Sequence, residues 1–134
     1  MKYVILVSRL LLGLVFTVFG ANSILHFLPG SLPAGDAGTW SGLMMAHHYM
    51  TFVGVLQLVA GILLLVGRFV PLALTILAPI LVNILAFHFL FLPQGVIIGL
   101  ICSVLEIILL IAYHRSFAPL FAPNPEADTS KLQA

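Results

Sequence analysis

Four stretches of this chain are apolar for long enough to cross a lipid bilayer, and no water-facing fold could cover all of them. A spanning helix needs about 20 mostly apolar residues. Residues 3–28, 49–66, 71–92 and 96–113 meet that requirement. The breaks between them are chemically explicit. Pro29-Gly30, Pro33, Gly35 and Gly38 follow the first stretch and read as the only long loop, residues 29–41, with Asp36 and Trp40 in it. Gly67-Arg68 closes the second, and Pro71 suits the first turn of the third. Pro93-Gln94-Gly95 makes a tight turn, so the third and fourth helices form a hairpin. Pro79 lies inside the third helix and should kink it, because it offers no N–H to the carbonyl of Thr75.

Composition points the same way. Charged residues are 7% of the 134 and apolar ones 62%, against roughly 25% charged in soluble domains. So few charges cannot coat a surface in water, whereas lipid tolerates one without them. The expectation is an all-α, integral membrane four-helix bundle over residues 1–117, with an extended cytoplasmic tail over residues 118–134. The start of the chain also resembles a secretory signal: Lys2 and Arg9, an apolar run over residues 10–19, then Gly20-Ala21. It is read here as the first membrane helix.

Orientation follows from the basic residues. Lys2, Arg9, Arg68, Arg115 and Lys131 all fall on one side, and none falls in the long loop or the Pro93 turn. The positive-inside rule makes that side the cytoplasm, with both termini there. Trp40, Tyr49 and Tyr113 stand where interfacial anchors are expected. The formal net charge of +1 says nothing about partners, but no basic patch, run of like charges or motif points to nucleic acid, and none is expected as a partner. Cys102 is the single cysteine, so a CxxC thiol relay and an internal disulfide are excluded. It reads as a small packing residue. No Ser-His-Asp set, glycine-rich phosphate loop or carboxylate pair supports hydrolase or nucleotide chemistry.

Each apolar segment carries at least one group that hydrocarbon disfavours. An ionised side chain at the bilayer centre costs roughly 2.5–3.5 kcal/mol on insertion scales, so such groups should turn inward. Helical spacing places Arg9, Gly13, Phe16 and Gly20 on one stripe. His47, Gly54, Gln57 and Gly61 form a second, and Gly99, Ser103, Glu106 and Tyr113 a third. Small residues at these intervals let helix backbones approach. Arg9 and Glu106 both fall in the half nearer the basic ends, which predicts an ion pair between them. That pair either fixes helix register or leaves Glu106 to serve a proton or quinone site. In a third arrangement Arg9 reaches the headgroups and Glu106 stays protonated.

A second polar group gathers toward the other side. Asn22 and His26 share a face of the first helix, His47 and His48 open the second, and Asn83 and His88 lie about 140° apart on the third. Four histidines at one depth could ligate a metal or the iron of haem b. They serve equally well as hydrogen-bonded residues of a polar pocket. Gln57, Asn22 and Asn83 are interior polar candidates, and an amide can both donate and accept across helices.

Several of these pieces together resemble the DoxX-like membrane proteins. They are Arg9-Leu-Leu-Leu-Gly13 with Phe16 and Gly20, and Asn22 with His26-Phe-Leu-Pro29. Further along come Gly61-Ile-Leu-Leu-Leu-Val-Gly67-Arg68 with Pro71, Asn83 with Phe87-His88, and Leu105-Glu106 followed by Tyr113. The resemblance spans roughly residues 3–120. It implies a four-helix bundle of the bacterial cytoplasmic (inner) membrane. It also implies a loose link to redox metabolism, since the family takes its name from a thiosulfate:quinone oxidoreductase subunit. Carried over by position, Asn22, His26, Asn83, His88 and Glu106 match the family's polar positions. Gln57 departs, because members often have Glu there, and this weakens proton-coupled quinone chemistry.

Three functional expectations follow. The first is a small membrane subunit or accessory protein of a larger redox-linked assembly, respiratory or photosynthetic, whose partners are the bilayer, other membrane subunits or a second copy. The second is a redox membrane protein that itself binds quinone or haem b through His26, His88 or Glu106. The third is a small transporter.

Overall fold

The structure, a computed structural model, describes residues 1–125. It is helical, with no strand among the described residues. The elements are α1 (Lys2–Leu25), α2 (Gly35–Ala46), α3 (Tyr49–Val66), α4 (Val70–Leu90), α5 (Val96–Ala112) and α6 (His114–Phe117). Short 3-10 turns occupy Pro93–Gly95 and Ala118–Phe121. Four helical segments, α1, α3, α4 and Pro93–Ala112, are long and apolar enough to cross a membrane. Leucine, isoleucine, valine and phenylalanine cover most of their outward faces, a surface that hydrocarbon satisfies and water does not.

α1 stops earlier than its apolar run. His26 takes a left-handed backbone at φ 52° and closes the helix, its N–H donating to the Asn22 carbonyl at 2.8 Å. The Asn22 side-chain Oδ1 then accepts the Leu28 N–H at 2.7 Å. Together they satisfy backbone groups that a helix end would otherwise leave open.

The long loop of the sequence reading is mostly helix. α2 occupies Gly35–Ala46, with Ala37 buried and the Trp40 ring 4.8 Å from the Phe87 ring of α4. His47 and His48 therefore do not open a spanning helix. They form the two-residue joint between α2 and α3, with His48 at φ 57°.

The four long helices are neighbours in the cyclic order α1, α3, α4, α5, and the α1–α3 contact is the most extensive. Its cause is a double glycine seam. A Cβ added at Gly20 would lie 2.5 Å from the Leu58 backbone nitrogen and 2.7 Å from the Gly54 carbonyl oxygen. One added at Gly61 would lie 2.6 Å from the Thr17 nitrogen. Backbone meets backbone here, which only glycine permits. The registers, Gly20 on Gly54 and Gly13 on Gly61, show that α1 and α3 run antiparallel. Leu12, Leu64, Leu74, Leu77 and Leu109 fill the axis of the bundle at the end where α1 begins and α5 ends.

After α5 the chain stays helical through α6 and the Ala118–Phe121 turn. The first four residues of the tail expected to be extended, Ala118–Phe121, are thus a 3-10 turn, and Ala122 after them is extended. Residues 126–134 of that tail lie outside the described residues.

Candidate functional site

Toward the end of the bundle that carries α2, the same four helices enclose a cavity of about 550 Å³. α1 contributes Phe16, Phe19, Asn22 and Ser23, and α3 contributes Tyr49, Phe52, Val53 and Gln57. α4 contributes Pro79, Asn83, Ile84, Phe87 and His88, and α5 contributes Ile98, Gly99 and Cys102. Trp40 of α2 roofs it. Phe19, Phe52 and Ile98 of its lining are exposed, so the void is open rather than sealed. A large, mostly apolar, aromatic-lined space with a few amides is the usual form of a site for a drug-sized organic ligand.

Gln57 is the polar group set deepest in this wall. It is 8% exposed and has no hydrogen-bond partner among the described residues. Its amide can donate and accept toward a bound molecule. Asn22 lends its NH2 to the same space, since its Oδ1 is taken by Leu28. Asn83 also lines the cavity and is exposed.

His88 is fixed in place. Its Nδ1 donates to the Ile84 carbonyl at 2.8 Å, and its ring stands edge-on to Phe87 with centroids 5.4 Å apart. The Nε2 side of the ring presses on Gly95, where an added Cβ would collide with it. With one ring nitrogen bonded and the other packed against backbone, His88 is not free to ligate a haem iron. His26 is exposed at the end of α1 and does not line the cavity. No group of three or more His, Cys, Asp or Glu converges among the described residues. The donor set therefore does not fit haem b or a metal. An uncharged planar molecule with carbonyl or hydroxyl groups fits the aromatic walls and the amides.

The expected Arg9–Glu106 pair is not formed. The Arg9 guanidinium packs over Gly67 at the C-terminus of α3. The last carbonyls of a helix carry partial negative charge and suit a cation there. Gly67 is left-handed at φ 75°, so a residue without a side chain meets both the backbone and the arginine. Glu106 sits elsewhere, 3% exposed, and neither carboxylate oxygen has a partner. It lines a smaller groove of about 250 Å³ between α4 and α5, with Ala78, Leu81, Val82, Leu85, Ser103, Ile107 and Leu110. His26, His88 and Glu106 thus occupy three separate places.

No family, curated protein or solved structure matches the chain.

Sequence reading missed Trp40 as a wall of the site, along with the aromatic ring of Phe16, Phe19, Phe52 and Phe87 around it. The available signal was the spacing of Trp40, Leu43 and Met44, which is helical and continues a partly apolar face through the supposed loop.

Proposed function

We propose that this chain is a small multi-pass protein of the bacterial cytoplasmic membrane that holds a lipid-soluble, carbonyl-bearing ligand of the quinone type beneath α2. It would do so as the membrane subunit of a larger redox-linked assembly. The observation that carries this reading is the cavity of about 550 Å³ with the unpartnered Gln57 amide in its wall. Aromatic rings supply flat apolar contact, and the amides of Gln57 and Asn22 supply directed hydrogen bonds to carbonyl or hydroxyl oxygens. The exposed apolar lining at Phe19, Phe52 and Ile98 suits a ligand that travels in the bilayer. The DoxX-like resemblance of the sequence supports the redox context and the subunit role. The five basic residues support cytoplasmic termini, which places the cavity in the opposite half of the membrane.

Trp40 is the only tryptophan and lines the cavity, so it reports occupancy directly. A short-tailed benzoquinone titrated into the chain in lipid nanodiscs should quench its fluorescence saturably, and Gln57→Leu should weaken that response. Linear quenching, no steeper than that of a lipid-anchored tryptophan in the same discs, would refute the reading. Orientation is tested separately. A cysteine at the exposed Ser31 should react with an impermeant maleimide added outside intact cells, and silence would invert the topology.

A further inference from the structure

Glu106 plays no part in the cavity under α2. It is nevertheless the most demanding side chain in the bundle, 3% exposed with both carboxyl oxygens buried and without a hydrogen-bond partner among the described residues. Its neighbours cannot help it. Ala78, Leu81, Val82 and Leu85 of α4 have no polar side-chain atom. The Ser103 hydroxyl already donates to the Gly99 carbonyl at 2.8 Å. Arg9, the basic residue expected beside it, is held at Gly67. A carboxylate in apolar surroundings without a counter-charge is expensive. The groove that lies over it is open, apolar and, at about 250 Å³, large enough for part of an organic cation.

We propose that the α4–α5 groove is a binding site for a lipid-borne organic cation, an ammonium or phosphonium carried on apolar arms, with the Glu106 carboxylate as its counter-charge. The carboxyl oxygens are buried beneath the groove's apolar floor, so their charge acts across the groove wall rather than by direct contact, which suits a cationic centre wrapped in its own apolar arms. The walls accept alkyl or aryl arms, and the remainder of the molecule lies in lipid. Attraction between opposite charges is strongest where water is excluded.

The probe is tetraphenylphosphonium, measured by equilibrium dialysis against the full chain in nanodiscs. Binding should be saturable with one site per chain, and Glu106→Gln should weaken it by about tenfold or more. Ala78→Leu, which narrows the groove and leaves the carboxyl intact, should weaken it as well. Gln57→Leu should leave it unchanged, so this site and the quinone reading fail or stand independently. Tetraphenylborate, similar in shape and opposite in charge, should not compete. Non-saturable uptake, equal competition by the borate, or loss in Gln57→Leu but not in Glu106→Gln would overturn the proposal. So would a membrane protein that cross-links to Ile107→Cys and excludes the cation. If Glu106→Gln is not monodisperse, unchanged affinity in Ala78→Leu is sufficient to overturn it.

Discussion

One stripe of α3 builds two opposite kinds of interior. Gly54 and Gly61 meet Gly20 and Gly13 of α1 so closely that no side-chain carbon fits between the backbones. Gln57, between them on the same stripe, lines a void of about 550 Å³. The difference lies in what stands opposite. Where two glycines face each other, the helices close up and dispersion contacts accumulate. Where Phe16, Phe87 and Trp40 stand between helices, large rings hold them apart and leave room at the centre. A small helical bundle can thus be closed along one edge, filled at one end of its axis and hollow at the other.

The seam should be the less forgiving of the two. Gly20→Leu drives a side chain into the backbone of Leu58 and Gly54 and should cost about 3 kcal/mol or more. The readout is loss of a monodisperse peak and a large fall in Tm in detergent. Gly30→Ala, with nothing near its added carbon, should stay within about 0.5 kcal/mol of the parent. Equal stability of the two variants would break the comparison. The hollow side should answer in affinity rather than stability. Gln57→Leu should weaken quinone quenching of Trp40 by about tenfold, the cost of losing a directed hydrogen bond in a dry site, while Tm holds. Smaller again, Trp40→Phe removes part of the contact with Phe87 and should cost about 1 kcal/mol. A larger loss in thermal unfolding would make α2 part of the rigid frame rather than a roof.

The smallest expected effect concerns Arg9 and Glu106. Because Arg9 lies on Gly67 and Glu106 in the α4–α5 groove, a double-mutant cycle of Arg9→Ala and Glu106→Ala should be additive within about 0.5 kcal/mol. A larger coupling energy would restore the ion pair that the sequence suggests.

How much of this could be read beforehand depended on which physical signal each feature leaves in one dimension. The long helices were legible because hydrocarbon thickness imposes a length and a composition, and the boundaries of α3 match the reading to the residue. Gly13, Gly20, Gly54 and Gly61 were legible as seam residues because small residues at helical spacing have few other uses. α2 was not, because its Gly35-Asp36-Ala37-Gly38 opening has the composition of a loop. Its helix rests on tertiary support, with Ala37 buried and Trp40 against Phe87. The Arg9–Glu106 pairing went astray for a related reason. Sequence gives depth along a helix well and direction around the bundle poorly, and Arg9 had a helix end within reach. Asn83 and His88 both line the cavity, but only His88 is fixed, by its bond to the Ile84 carbonyl.

The open, apolar lining at Phe19, Phe52 and Ile98 has a consequence for how tightly anything needs to bind. A guest that enters from the acyl chains is supplied at its concentration in the membrane, not in the surrounding water. Greasy molecules accumulate in that thin phase by orders of magnitude, since burying each methylene favours transfer by about 0.8 kcal/mol. A host of this design can therefore be half-filled by a compound that is scarce in the cell while gripping it only loosely, and a loose grip lets the guest depart as readily as it arrives.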